Sequence, residues 1–328
     1  MKRKRFIGAL LTSLLIFSVM FTGCSQSATN DAGGDQSAAW PAKPINLIVP
    51  ASAGGGTDMN ARLLAKYLTE KLGQSVTVTN VAGSSGALGL KEGKDADPDG
   101  YTFVYFNEET VTNEVLGVMD FGYKDFKMVG NVFEVPMFLV GSSDIPDIAT
   151  LTKLAKEKPG QIVFGAESGA FISILPHIMN AELGIDLKVV DGGQMNERVP
   201  LMVGNQINLT FAPMKPVQDY VKTGQLSMVA LFKDQRMDSL KDIPTATEQG
   251  LDIVYNRFQC IIGPKDVDDA IVAKFSKALE EVSKDPKFIK DAEAQSISVA
   301  YTDGNGLLKL MEGYHADLQE FIKLVPKK

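Results

Sequence analysis

The chain reads as an α/β protein in which largely parallel strands alternate with helices that cover both faces of each sheet. Three observations predict that class. From Trp40 onward, short apolar β-branched runs alternate with patterns of helical period, the signature of strand-helix-strand units. Apolar residues make up 45% and charged residues 22%, ordinary for a globular protein and against wholesale disorder, a coiled coil or a multi-span membrane protein. The 328 residues leave room for about two domains.

The N-terminal segment is set apart. Lys2, Arg3, Lys4 and Arg5 precede an apolar run of 17 residues, Phe6 to Thr22. That is short for a membrane span, which needs about 20 residues, and it fits a secretory signal over 1–23. Gly23-Cys24 at its end resembles a bacterial lipobox, with Phe21 where Leu is usual, so Cys24 is expected to be lipidated. Ser25 to Ala39 hold nothing apolar beyond Ala, and residues 24–39 are expected to form a flexible tether. The protein is therefore expected outside the cytoplasm, anchored to the outer face of the bacterial cytoplasmic membrane or periplasmic. With Cys24 acylated, Cys260 is the one thiol left, which excludes an intrachain disulfide. It sits in the apolar run Phe258–Ile262 and reads as core filler.

The elements follow in order. Ile45–Val49 is an apolar run bounded by prolines and reads as a buried strand. A helix over about Asp58–Leu72 carries Met59, Leu63, Leu64, Tyr67, Leu68 and Leu72 on one broad face; Thr57 is its expected cap and Gly73 its end. Strands are predicted at Val76–Val78 and, after the turn Asp97-Pro98-Asp99-Gly100, at Tyr101–Phe106. More follow at Ile162–Gly165, Leu187–Val190, Ile207–Phe211 and Met228–Leu231. Two helices close the chain, one lined by Ile271, Phe275, Leu279 and Val282, the other by Leu307, Met311, Leu318 and Phe321; these stripes read as core faces.

Four of the predicted strands end in loops of small residues: Ala51–Thr57, Gly83–Gly86, Ala166–Ala170 and Asp191–Gln194. At least three lead into helices. Small residues let backbone approach a ligand, and a helix N-terminus offers free N–H groups and partial positive charge. Four such loops beyond strand ends point to a cleft for a small anion. Catalytic patterns fail one by one. No Gly-Lys-Ser/Thr follows Gly54-Gly55-Gly56, and Met59 stands where a dinucleotide fingerprint needs Gly. No G-x-S-x-G surrounds Ser84, Ser85 or Ser168. The two histidines, His177 and His315, both lie in helical patterns, and no metal-ligand spacing occurs. No cofactor and no metal is expected. Charge excludes a nucleic-acid binder. The first 23 residues hold four basic residues and no acidic one, so the remainder carries 29 basic against 40 acidic residues, a net −11.

Pro41-Ala42-Lys43-Pro44-Ile45, Val49-Pro50, Gly54-Gly55-Gly56-Thr57-Asp58 and Ala61-Arg62 resemble the opening of the tripartite tricarboxylate transporter substrate receptors, also called Bug-type receptors. The likeness continues through Leu72–Val76, Asn80, Gly83–Gly86, Asp97–Thr102, Lys158-Pro159-Gly160, Gly224-Gln225-Leu226 and Ile243–Gly250. It implies a two-lobed fold of the type II periplasmic-binding-protein kind. Lobe one is then expected at 40–141 plus 256–328 and lobe two at 142–255, with crossings near Gly141 and Tyr255. The resemblance also implies a receptor that performs no chemistry and presents a small carboxylate to the membrane subunits of a transporter. Carried over, the binding positions are Ala53, Gly54, Gly55, Thr57, Asp58, Ser84 and Ser85, facing Ser168, Gly169 and Ala170, with Asp191 and Gly192 near the far end. Two departures stand out. Val190-Asp191-Gly192-Gly193 replaces the family's P-Y-x-G stretch, and His177 is not at the family's usual distance from the preceding glycine loop. Asp191, Glu108, Glu109 and Glu134 bring negative charge to that end, which leaves open a ligand with an amino group or a neutral tail.

The loops contain no Arg or Lys, so the anion is expected to be held by backbone N–H groups and hydroxyls. A monomer is expected. A sensing receptor coupled to a signalling system, and a hydrolase using Ser84 or Ser168, stay open as alternative functions; the hydrolase needs a base the sequence does not nominate.

Overall fold

The computed structural model of the protein describes residues 39–237, 240–255 and 257–325. The expected signal, Cys24 and the tether up to residue 38 lie outside these residues. Among the described residues no helix is long and apolar enough to cross a membrane.

The chain begins as a run of strand-helix units: β1 (Ile45–Val49), α1 (Gly56–Leu72), β2 (Val76–Asn80), α2 (Ala87–Lys94), β3 (Thr102–Asn107), α3 (Glu109–Val115) and β4 (Phe126–Val135). A second run follows: β5 (Met137–Ser142), α4 (Ile148–Glu157), β6 (Val163–Ala166), α5 (Leu175–Leu183), β7 (Lys188–Asp191), α6 (Met195–Val203), β8 (Leu209–Pro213), α7 (Gln218–Lys222) and β9 (Leu226–Leu231). The chain then returns through β10 (Arg257–Pro264), α8 (Asp269–Ser283), α9 (Pro286–Glu293), β11 (Ser298–Asp303) and α10 (Gly304–Phe321).

Two sheets result, one to a lobe, with strand orders β11-β4-β10-β3-β1-β2 and β7-β6-β8-β5-β9. They are more mixed than the expected largely parallel strands. β2-β1-β3 and β7-β6-β8 are parallel, as strand-helix-strand connections require. β10, β4 and β11 pair antiparallel in the first sheet, and β5 pairs antiparallel with both β8 and β9 in the second. The antiparallel part is where the chain changes sheet. Only Pro136 separates β4 from β5, and Pro, having no N–H, ends the first ladder there. Gly141, the expected crossing, lies inside β5 and pairs with Leu209 of the second sheet, so the chain leaves the first sheet at Pro136. On the return, Tyr255 still donates its N–H to Phe232 O in the second lobe, and Arg257 opens β10 opposite Val135.

Side-chain alternation assigns the helices to the sheet faces. Leu47, Phe103 and Ile261 pack with Leu64, Leu68, Phe275 and Phe288 from α1, α8 and α9. Ile48, Val104, Phe106 and Ile262, on the opposite face, pack with Leu90, Leu307 and Met311 from α2 and α10. In the second lobe, Phe164 and Phe211 face α4 and α5, while Phe138 and Ala212 face α6. Cys260 is fully buried among the second-face residues, and burial pushes its thiol pKa far up, so it is filler and not a nucleophile.

Two local predictions change. The N-cap of α1 is Gly55, with no side-chain cap, and Thr57 lies inside the first turn. Gly73 ends the helix as expected, in the left-handed conformation at φ 67°, donating to Thr69 O.

Candidate ligand-binding site

A cavity of about 540 Å³ lies between the sheets, at the carboxyl ends of β1, β3 and β6 and against β10. Its walls are partly apolar (Met59, Phe106, Met137, Ile172, Phe211) and partly polar (Asn60, Glu109, Glu167, Arg198, Gln259), the mixture expected of a small-molecule site.

The first wall is the entry to α1. Gly54, Gly55, Gly56 and Thr57 line the cavity, and the first-turn N–H groups of a helix have no intrahelical acceptor. The loop is fastened from behind by Asp58, which is 3% exposed. Its Oδ2 accepts from Gly54 N at 2.8 Å and Arg62 Nε at 3.0 Å, and its Oδ1 accepts from Asn80 Nδ2 at 2.9 Å. Burial pushes the Asp58 pKa up, but the donors Arg62, Gly54 and Asn80 outweigh it and hold the carboxyl below its usual range. Asp58 and Arg62 are therefore occupied with each other and do not line the cavity.

The loop after β2 supplies Ser85 and Gly86. Gly86 is at φ 95°, and a Cβ there would stand 2.4 Å from the Phe106 ring, so a side chain does not fit. Ser84 turns away from the lining. Ser85 Oγ donates across the cleft to Ser168 O at 2.9 Å. Gly169, at φ 83°, would place a Cβ 3.1 Å from that same Ser85 Oγ. Ser168 and Gly169 thus form one of the contacts between lobes, and of this stretch Glu167 and Ala170 reach the cavity.

The second wall is the entry to α6. Gln194, Met195 and Asn196 line the cavity. Gln194 N donates to Glu197 Oε2 at 2.7 Å in a capping box. Asp191 and Gly192 stand behind this wall. Asp191 accepts from Ser168 Oγ at 2.8 Å and Gly193 N at 3.0 Å, donors that hold its pKa low, and Gly192 N donates to Ala166 O. Of the expected binding positions, then, Gly54, Gly55, Thr57, Ser85 and Ala170 line the cavity; Ala53, Asp58, Ser84, Ser168, Gly169, Asp191 and Gly192 do not.

The expected backbone N–H groups and hydroxyls are not alone in the lining, because two arginines reach it as well. Arg198, 4% exposed, lines the cavity from the second turn of α6. It donates from Nη1 to Gly193 O at 3.0 Å and lies 3.7 Å from Glu167, while its Nε has no partner. Arg257 lines the opposite side, with Nε 3.6 Å from Glu108 Oε1. Sequence offered a signal for Arg198. It shares a helix face with Met195 and Met202, so a charge stands where core residues are due. Arg257 carried none, because the strand it opens shows no alternation.

Three acids gather near the arginines. Glu108 is fully buried, accepts from the Tyr255 hydroxyl, and leaves Oε2 without a partner. Glu167 is raised above the usual carboxylate range by burial, against the pull of Arg198. Glu109 lines the cavity and accepts only the N–H of Phe171, at 3.2 and 3.3 Å to its two oxygens. Burial and the neighbouring Glu108 push its pKa up to about 8. Glu134, also expected at this end, is paired instead with Lys233 at 2.8 Å. Gln259 completes the floor. Its Oε1 accepts from Tyr105 OH at 2.7 Å and Asn60 Nδ2 at 2.8 Å, which leaves its amino group as the end free to donate.

The chain resembles known proteins along most of its length. A protein of Agrobacterium vitis from the TAR-I ttuE-ttuC' intergenic region is 32% identical over 258 residues, covering 76% of this chain and 74% of that one. Protein BugT of Bordetella pertussis is 26% identical over 264 residues, covering 78% and 81%. The solved periplasmic binding protein BugD superposes with a TM-score of 0.77 at 25% identity, over 87% of this chain and 98% of that one. The model of the tripartite tricarboxylate transporter family receptor matches residues 60–325, and the chain belongs to that family of solute receptors.

Proposed function

We propose that the protein captures a small carboxylate in the cavity between its lobes and presents it to the membrane subunits of a tripartite tricarboxylate transporter. The observation that carries this reading is convergence. The N-termini of α1 and α6, one from each lobe, line one cavity together with Arg198, whose buried Nε has no protein partner. Both helix ends favour an anion, and a buried guanidinium with an unused donor gains most from an acceptor such as a carboxylate. A ligand that touches both walls also links the lobes, which suits a receptor that must signal occupancy by closing. No histidine lines the cavity, neither Ser84 nor Ser168 lines it, and the Ser168 hydroxyl donates to Asp191, so a hydrolytic reading finds no support here.

A thermal-shift screen of mono-, di- and tricarboxylates and amino acids, set against amines and sugars, tests the reading. A ligand at a hundredfold excess over its dissociation constant adds about 2.7 kcal/mol, a rise of several degrees. Arg198→Ala should lower the affinity of the best carboxylate by roughly tenfold or more, a charge-assisted hydrogen bond being worth about 1.5–3 kcal/mol. Stabilisation by amines or sugars alone, with every carboxylate silent, would sink the proposal. The Cys24 motif adds a location. The mature chain should incorporate labelled lipid and sediment with membranes, and Cys24→Ala should abolish the labelling; undiminished labelling would remove the anchor from this reading.

A further inference from the structure

The cavity contains one acid that the protein leaves without a counter-charge. Arg198 stands against Glu167 at 3.7 Å and Arg257 against Glu108 at 3.6 Å. Glu109 lines the same cavity and has no ion-pair partner within 4.0 Å among the described residues; Lys215 lines the cavity from the exposed loop after β8 and makes no pair with it. Among the described residues, the only donor to the Glu109 carboxylate is the neutral N–H of Phe171. A half-buried carboxylate held this way is costly in its charged form, and a carboxylate has acceptor positions left once that N–H is satisfied.

We propose that Glu109 selects the ligand, accepting the ammonium group of an amino carboxylate whose carboxylate end lies at the helix N-termini and Arg198. The inference rests on the carboxylate reading above and narrows it. An ammonium supplies the missing cation and a charge-assisted hydrogen bond. A second carboxylate at the same place binds only while Glu109 keeps its proton, and it adds negative charge beside Glu108 and Glu167 in a poorly solvated site, whereas an ammonium pairs with the ionised form. The groups facing Glu109 from the surrounding elements are Glu108, Glu167, Arg257, Arg198, Tyr255 and Tyr314. Burial and Glu108 raise its pKa to about 8, which favours the protonated form in the empty site. An arriving ammonium favours the carboxylate and drives that proton off.

The test is calorimetric titration of the wild type and Glu109→Gln with chain-matched probes: 5-aminovalerate, norvaline, glutarate and valerate, and the four-carbon counterparts. The glutamine amide oxygen can still accept from Phe171, so the variant keeps the interlobe bond. An amino carboxylate should bind the wild type at least about tenfold more tightly than the dicarboxylate of its length, and Glu109→Gln should remove that margin, while valerate changes by less than about threefold. Titration in two buffers of different ionisation enthalpy should reveal proton release with the amino carboxylate, absent in the variant. If Glu109→Gln loses all ligands alike, proton release by the wild type decides, and its absence overturns the inference. A preference for dicarboxylates that Glu109→Gln leaves unchanged overturns it too, while the carboxylate reading stands. Silence from every carboxylate removes both.

Discussion

Asp58 and Glu109 are both acids at the first turn of a helix, yet the protein treats them oppositely. Asp58 is surrounded by donors, so its carboxylate form is favoured against burial. Burial, and then the neighbouring Glu108, push the pKa of Glu109 from 4.5 to about 8, against the weak pull of its one neutral donor. The consequence for stability has a definite sign. Between these values the folded protein holds a proton that the unfolded chain has released, so stability falls as pH rises through that window. Glu108 and Glu167 are shifted the same way, whereas Asp58 and Asp191 act only at lower pH, where their stabilising charge is lost. The ligand-free protein should therefore melt at progressively lower temperature from about pH 5 to pH 8. Glu109→Gln should flatten part of that slope, as measured by calorimetric melting across pH. An unchanged slope would mean that Glu109 is charged throughout. Glu109 was legible as acid near the ligand's far end, but its lack of a partner depends on Arg198 and Arg257 being taken by other acids, and pairing across distant segments has no sequence signal.

The entry to α1 depends on one side chain. With Gly55 as N-cap and no capping hydroxyl, the loop is held by Asp58 through Gly54, Arg62 and Asn80. Asp58→Ala leaves the Gly54 N–H without its acceptor and the Asn80 amide with only Ala51 O, so it should cost about 2–3 kcal/mol in urea unfolding, near the value of hydrogen bonds to a charged group. Arg62→Ala removes a half-exposed partner and should cost under about 1 kcal/mol. Equal costs for the two would show that the loop is held by the ion pair and not by the backbone contact. The elements themselves divide by pattern. β1, β2, β3, β6, β7, β8 and β9 are bounded by turns or capped helices and were legible, within a few residues. β4, β5, β10 and β11 were not read. Phe126–Ser142 is a continuous stretch interrupted by Gly130, Glu134 and Pro136, and such a run is ambiguous between helix and strand, while an internal Pro argues against one strand.

The two lobes touch at small groups. Ser85 Oγ meets Ser168 O, Glu109 meets the Phe171 amide, and Tyr255 donates to Glu108. Phe171 and Tyr255 stack at 4.1 Å beneath these contacts. Gly169→Val puts a branched side chain at φ 83° and against Ser85 Oγ, a backbone strain of about 1–2 kcal/mol before any clash. The variant should keep each lobe folded but hold them apart. Small-angle scattering should show a larger radius of gyration, and the best carboxylate should bind at least about tenfold more weakly. A variant as compact and as tight-binding as the wild type would show that the lobes do not meet here when ligand is bound.

Local chemistry in the chain was enough for the α/β class, the glycine loops beyond strand ends and the family likeness, because turn residues, helix ends and apolar periodicity are written within a few positions of one another. The pairing of β4 with β10 joins segments more than a hundred residues apart, and no local pattern encodes that partner choice or the change of sheet at Pro136 that depends on it. The same holds in the cavity. Its backbone walls at α1 and α6 come from contiguous loops, whereas the meeting of Glu109 with Arg198, Arg257 and Gln259 is created by folding. Charge balance among buried groups depends on distances that exist only once distant elements are packed together, so the chain announces the small-residue loops and the tertiary structure decides which charged groups share the cavity with them.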